Sequence, residues 1–382
     1  MEEKNALLQI RDQLDVLDHQ ITELYKKRMD LCEQVAEYKI ETGKAVFDPV
    51  REAQKLDTVE SYLESDFDRK AIRELYQQMM TISRRRQFGI LSAHGKTFHA
   101  DFEKVDAIPK SEKRVVYQGV EGAYAHLAAR QCFGAEATLT HVKTWKDAMD
   151  QVVEGTADYA VLPIENSSHG AVSDIFDLLV RYPALTIVEE VDLHVEHALM
   201  SVAGATIEGL RQIYSHPQAL GQCSAFLEAH PEITPVPVLN TAVAAEYVRD
   251  HQDPSIAALA SELSAELYDL EILKRGVNQE KTNTTRFIVL GRARIYTEKA
   301  QKISIYFETA HKPGALYNAL GNFIFNDVNM LMIESRPIPE KPFEYRFFVD
   351  LEGNLSMPNV INALAGLEDQ ITVLRILGNY GV

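Results

Sequence analysis

Cysteine is scarce in this chain. Its three cysteines, Cys32, Cys132 and Cys223, lie far apart in 382 residues. They fit neither a disulfide framework nor a zinc pattern and point to a reducing compartment, the cytoplasm. Long apolar runs are also missing: with no stretch of about 18 apolar residues, no helix is expected to span a membrane. The opening MEEKNALLQI is acidic and has no apolar core, so no secretion signal is expected. Positive charge is in short supply. Lys and Arg number 39 against 56 Asp and Glu, and the net charge of −17 argues against nucleic acid and anionic membrane surfaces as partners. An anionic small molecule is admitted only where Arg and Lys gather locally. Low-complexity tracts and metal-ligand spacings are lacking as well, so no metal and no organic cofactor are expected.

Apolar residues make up 46% of the chain, ample for packed cores, and the length suggests roughly two to four domains. Three regimes of pattern follow one another. Residues 1–90 read as helix almost throughout. Residues 91–113 are polar and aperiodic, a linker. From 114 to 291 short apolar strands alternate with helical patterns, the mark of an α/β domain with a largely parallel sheet. After a second polar join at 292–301, the segment 300–382 reads strand, helix, strand, strand, helix, strand, a small ferredoxin-like α+β unit.

The first helix carries the sharpest pattern. Leu7, Leu14, Ile21 and Val35 form one set of a heptad seam, and Ile10, Leu17, Leu24, Leu31 and Tyr38 the other. Arg28 falls on the first set, where an apolar residue belongs, and Arg11 and Lys39 border the seam. An unpaired buried guanidinium is costly, so Arg28 calls for an anionic partner. At 1.5 Å per residue Arg11 and Lys39 stand about 42 Å apart, too far to share one metabolite, whereas Arg28 and Lys39 are about 16 Å apart and can converge. If Arg11 serves the same ligand it must come from a second chain running antiparallel, in an intertwined two-fold dimer. Asp48-Pro49 reads as a helix start with Arg51 and Glu52 in its first turn. Ser83 and Gln87 lie one turn apart near the end of a third helix.

The middle segment places four loops at strand ends or helix starts: QGVEGAYAHLAAR (118–130), PIENSSHGAV (163–172), SHPQALGQC (215–223) and TNTTRF (282–287). The first can bind an anion at a glycine-led helix start, but lacks the Lys of a P-loop and the third glycine of a dinucleotide fingerprint. Ser215 and Gln218 also match a capping box, and Ser167 or Ser168 can cap a following helix. Together the loops offer many neutral donors and few formal charges.

Residues 5–90 resemble the all-helical chorismate mutase family, through LLQIRDQLDVLDHQI, KKR, VAEYK, DPVRE and the Ser83–Gln87 pair. The resemblance implies that Arg28, and Arg11 of the other chain, hold the carboxylates of chorismate. It implies that Lys39 and Gln87 hydrogen-bond the ether oxygen, and that Asp48, Arg51, Glu52 and Ser83 complete the pocket. Residues 114–291 resemble prephenate dehydratase, with TNTTRF the most specific stretch. That resemblance implies two lobes like those of a periplasmic binding protein, with crossings near 190 and 270. Thr285 would be the key catalytic hydroxyl, with Glu165 as an alternative proton source, and Asn166, Ser215, Gln222, Asn283, Arg286 and Phe287 around the cleft. Residues 300–382 resemble the ACT regulatory domain through HKPGALYNALGNF and NMLMIESRP. It implies an L-Phe site made of Gly314, Ala315, Leu316, Asn329, Glu334, Ser335, Arg336 and Pro337.

The expectation is a cytoplasmic bifunctional homo-oligomer, dimer or tetramer. It rearranges chorismate to prephenate, then converts prephenate to phenylpyruvate, under feedback by L-Phe. Two other readings stand beside it. One is a dehydratase whose helical domain only dimerises, against which the cations at 11, 28, 39 and 51 argue. The other is a non-catalytic metabolite sensor, against which the TTRF stretch argues.

Overall fold

The computed structural model describes residues 2–95, 98–134, 137–339 and 341–381, with side chains from residue 6 onward. The chain divides into two compact units. The first comprises residues 1–100, 307–330 and 355–374; the second comprises 101–306, 331–354 and 375–382.

Three helices dominate the first unit: α1 (Glu2–Thr42), α2 (Pro49–Glu60) and α3 (Asp66–Ala93). Asp48 opens α2 as its pattern demands, its Oδ1 accepting from the Arg51 N–H at 2.9 Å ahead of Pro49. Ser65 opens α3. The second half of α1 packs on α3 through Ala36, which is fully buried, and through Met29 and Cys32. This is not the heptad seam. Leu7, Leu14, Leu17, Ile21, Leu24 and Leu31 all stay exposed on the single chain. A 41-residue helix has more apolar surface than one short hairpin can cover.

Two large sheets and one two-stranded pair build the second unit. In the smaller, the strands Glu271–Lys274, Ala198–Ser201, Ile256–Ala260, Gln212–Ser215 and Thr234–Pro237 lie in that order. The larger has ten strands. Thr186–His194, Thr284–Gly291, Tyr159–Asn166, Arg114–Gln118 and Thr138–Val142, with the short Gly170–Ala171 beside Tyr159–Asn166, are its middle-domain part. The chain crosses between the sheets at 195–197 and returns across 275–283, a little later than the crossings expected near 190 and 270. The two crossings are stitched together: Val195 N donates to Asn283 O (2.8 Å), and His197 N to Asn278 Oδ1 (3.0 Å).

The largely parallel sheet expected from the alternating pattern is in fact mixed. The returning strand Thr284–Gly291 inserts between Tyr159–Asn166 and Thr186–His194 and runs antiparallel to both. A chain that leaves one lobe and re-enters it from the other must reverse direction, and no hydrophobic pattern records that. Alternation along the strands splits the core into two layers. Leu162, Ile288 and Leu290 face one cluster; Val161, Phe287 and Val289 face the other, with α4 (Tyr124–Phe133) against it.

The linker is not featureless. Residues 91–93 end α3, and Glu103–Val105 pairs in parallel with Ile295–Thr297 of the second polar join. The C-terminal segment shows the expected succession of strand, helix, strand, strand, helix and strand. Its strands extend the larger sheet in the order Met330–Ile338, Lys341–Glu352, Lys302–Glu308, Val373–Tyr380, and the last pairs with Thr186–His194 through Gly378 and Ile187. A Cβ on Gly378 would stand 2.1 Å from the Ile187 carbonyl oxygen, so only glycine permits this join.

Candidate active sites

In the first unit, α1 and α3 bring two cations onto two neutral acceptors. Arg28 Nη1 donates to Ser83 Oγ at 2.5 Å, and Lys39 Nζ to Gln87 Oε1 at 3.1 Å and Val46 O at 2.6 Å. Ser83 and Gln87 are buried and lie one turn apart, so each meets a different cation of α1. Burial, the largest influence, lowers the Lys39 pKa below its ordinary value, with Asp48 and Glu52 opposing. Glu52 is bound by Arg84, a buried guanidinium stacked over the Phe47 ring. Arg84 was not foreseen, because a triple arginine run gives no sign of which member turns inward. Arg51 is exposed, and Asp48 is occupied as the α2 cap. Arg11 is exposed as well, about 25 Å along α1 from Arg28 at the helical rise. One chain alone therefore does not bring it to this site.

In the second unit a cavity of about 220 Å³ opens where the crossings meet the N-terminus of α4. Thr285, Asn166, Asn283, Gln222 and Phe287 line it, as their loops suggest. They form one network. The Asn166 amide donates to Asn283 Oδ1 and to Thr285 Oγ1, both at 2.9 Å, while its own oxygen accepts from the N–H groups of Ser168 and His169. Asn283 donates to Gln222 Oε1 at 3.2 Å. Since Thr285 Oγ1 already accepts from Asn166, its own proton is available to the cavity.

Three expected residues are not on the cavity wall. Ser215 is fully buried and donates to Leu259 O at 2.6 Å. The cap of the following helix Pro217–Gln222 is His216, not Ser215. Ser167 and Ser168 likewise reach toward 280–284 rather than capping. Glu165 and Arg286 bond one another at 2.9 Å on the face of the sheet away from the cavity. A bulge explains this. Arg286 pairs with Glu165, but Phe287 pairs with Pro163, so one extra residue shifts the phase of the strand. Simple alternation from Pro163 would have put Glu165 in the cavity; the bulge puts Asn166 there instead.

Tyr124, His197 and His216 line the cavity and were not proposed from sequence. His197 Nε2 lies 2.9 Å from Gln222 Oε1 and Nδ1 lies 2.8 Å from the Tyr124 hydroxyl. Gln222 Oε1 only accepts, so Nε2 carries a proton, while the Tyr124 hydroxyl donates to Glu196 O at 2.8 Å. Burial lowers the pKa of both His197 and His216 below the ordinary histidine value and raises that of Tyr124 well above 10. A lone histidine at a lobe crossing is recognisable only after the crossing is located. No Lys, Arg, Asp or Glu is among the described lining residues. No side chain caps α4, whose first turn lines the cavity, which leaves backbone N–H groups for an anion.

Of the C-terminal residues, Gly314 sits at φ +78° and opens the helix Ala315–Ile324, and Leu316 follows in its first turn. Asn329 is exposed just before the strand Met330–Ile338. Glu334, Ser335, Arg336 and Pro337 lie on that strand, with Arg336 paired to Asp177 at 2.7 Å.

Residues 10–88 match the chorismate mutase type II family and residues 115–295 the prephenate dehydratase family. The bifunctional chorismate mutase/prephenate dehydratase of Enterobacter agglomerans is 33% identical over 100% of this chain and 97% of its own length. The chain belongs to the bifunctional chorismate mutase/prephenate dehydratase family. Its mutase domain is thus the helical one, and its dehydratase domain holds the cavity. Among solved structures, a prephenate dehydratase from Arthrobacter aurescens in complex with L-Phe is 29% identical with a TM-score of 0.66, covering 70% of this chain and 90% of that one. GqqA, described as a quorum quenching acylase, is 35% identical with a TM-score of 0.65, over 70% of this chain and 97% of that one.

Proposed function

We propose that this chain, as a homo-oligomer in the cytoplasm, rearranges chorismate to prephenate in the mutase domain. The dehydratase domain then converts prephenate to phenylpyruvate, with L-Phe as effector. The observation that carries the reading is the pairing of Arg28 with Ser83 and Lys39 with Gln87 between α1 and α3, in a chain aligned end to end with bifunctional relatives. A Claisen rearrangement needs its substrate held folded and donors aimed at the ether oxygen as the C–O bond breaks. Arg28 suits a carboxylate, and Lys39 with Gln87 suits that oxygen. Arg11 of a second copy supplies the other carboxylate contact, and the exposed seam Leu7–Leu31 is where that copy packs. Exposed Leu331, Ile333, Phe343 and Tyr345 offer a second contact for a tetramer.

In the dehydratase step, one C–C bond breaks to release CO2, its electrons enter the ring, and the C–O bond breaks with uptake of one proton to release water. Thr285 donates toward the departing oxygen while Asn166 holds it. The α4 N-terminus accommodates a carboxylate without neutralising it. With Glu165 turned away, the proton enters through the Thr285 hydroxyl from solvent or from the Nε2–H of His216, whose Nδ1 accepts from Gln218 N. Acylase chemistry has less support, since Thr285 contacts an amide rather than a base. The C-terminal strand order, second, third, first, fourth, supports a ferredoxin-like ACT domain, and the similar dehydratase in complex with L-Phe supports L-Phe as its effector.

Incubating the chain with chorismate and following phenylpyruvate tests the reading. Chorismate untouched while prephenate is consumed would leave a dehydratase with a dimerising helical domain. Neither consumed would leave a sensor.

A further inference from the structure

Arg286 belongs to the TTRF stretch, yet its side chain leaves the substrate cavity to Thr285 and Phe287 on either side. Strand alternation sends it to the opposite face, the face shared with Ile288 and Leu290. There its Nη1 holds Glu165 at 2.9 Å, and its Nε lies 3.6 Å from Glu190 and 3.6 Å from Asp192. That buried Nε makes no hydrogen bond.

Glu190 is 3% exposed, too deep to be a solvated charge. Both of its oxygens are taken by Lys302 Nζ, at 2.5 and 2.8 Å, and Lys302 is itself buried. Lys302 is the first residue of the first C-terminal strand. The next inward-facing residue on that strand, Ser304, bonds Asp350 and, at 2.6 Å, the Tyr380 hydroxyl, and Asn379 Nδ2 donates to Lys302 O at 3.0 Å. Three of the four C-terminal strands therefore meet around Lys302 and Ser304, beside the lysine that grips Glu190. The backbone join beside it is narrow, passing through Gly378 and Ile187.

Buried ion pairs add little net stability over apolar packing, because desolvation offsets attraction. Their distinguishing property is intolerance of displacement, since a charge pulled from its partner is left buried and unpaired. A two-pronged lysine–carboxylate contact therefore reports small shifts of the C-terminal strands. The link from Glu190 to Arg286 is the slack one, 3.6 Å with an unsatisfied Nε, and can tighten or open.

We propose that Glu190 and Lys302 are positioning residues of the dehydratase reaction. Lys302 sets Glu190, Glu190 sets Arg286, and the backbone of Arg286 carries the adjoining Thr285. Movement of the C-terminal strands on effector binding thereby reaches the catalytic hydroxyl without any contact between effector and substrate. The proposal rests on the reading of Thr285 as the dehydratase donor and of the C-terminal segment as the effector domain.

The test uses the full chain carrying Glu190→Gln with Lys302→Met, which removes both charges together and leaves neither buried alone. Prephenate turnover is measured with and without L-Phe, chorismate turnover in the same preparation is the internal control, and Lys302→Arg is the conservative variant. The expected result is a fall in dehydratase kcat on the order of tenfold with KM little changed, loss of the response to L-Phe, an unaltered mutase rate, and retention of both properties in Lys302→Arg. Wild-type kinetics and a wild-type L-Phe response in the double variant would overturn the proposal. So would a parallel loss of both activities, which would make the triad merely structural. Failure of the unmodified chain to consume prephenate would instead overturn the dehydratase reading, and this coupling with it.

Discussion

On the proposed reading Thr285 is a weak acid placed where an acid is needed, and its neighbours decide what it can do. Asn166 donates to its oxygen, so the hydroxyl proton is directed outward. Thr285→Ser is expected to retain activity and Thr285→Val to lose about a hundredfold or more in dehydratase kcat, with mutase activity as the control. Glu165 is the contrasting case. Turned from the cavity and bound to Arg286, it is expected to affect the rate through packing alone. Glu165→Gln should leave the shape of the dehydratase pH–rate profile unmoved, and disappearance of a limb would restore it as the proton source. On the proposed reading Lys39 acts as a cation in the mutase reaction, and burial lowers its pKa. Mutase kcat/KM is therefore expected to be level on the acid side and to fall as pH rises through a value below 10.5, the unperturbed lysine. Lys39→Arg should move that fall to higher pH, since a guanidinium does not titrate there.

Elements fix which of these side chains can meet. On α1, the residues that pack on α3 and those of the heptad seam are two different stripes, and only the first is covered within one chain. The heptad pattern marks the seam, which stays exposed on the single chain, and is silent about which stripe the hairpin uses. On the strand Tyr159–Asn166, one extra residue exchanges Glu165 for Asn166 in the cavity. Period-two reasoning cannot see a bulge, because the bulge depends on the register of a partner strand more than a hundred residues away. Gly378 acts at the same scale. Gly378→Ala is expected to cost about 1–3 kcal/mol, from a Cβ forced against a carbonyl. Dehydratase activity should soften before mutase activity in a thermal inactivation series, since the join lies in the larger sheet.

For the whole molecule, the mutase reading depends on assembly. Mixing Arg11→Ala and Arg28→Ala chains after reversible dissociation should restore about a quarter of wild-type mutase activity, because random two-fold pairing rebuilds one intact site in each mixed dimer. No recovery would mean that Arg11 serves no partner site. Stability should also fall in acid. His126, His197 and His216 are all held below the ordinary histidine pKa by burial. The unfolded chain therefore binds more protons as pH falls below 6.5, and the stability present above that value is lost toward the lowered folded pKa values. Urea midpoints at pH 7.5 and 5.5 check this.

By itself, the sequence determined which residue types exist at each site, where helices start, and which stretches alternate. Asp48-Pro49, the Ser83–Gln87 spacing and the TTRF stretch are local, and local chemistry is written in order along the chain. Tertiary structure alone decided that Arg286 and Glu165 face away, that Ser215 is buried while His216 and His197 line the cavity, and that Lys302 grips Glu190. Each of those depends on strand register, a bulge or a lobe crossing. These are set by contacts between residues distant in sequence, where packing, not pattern, chooses among alternatives of equal local merit.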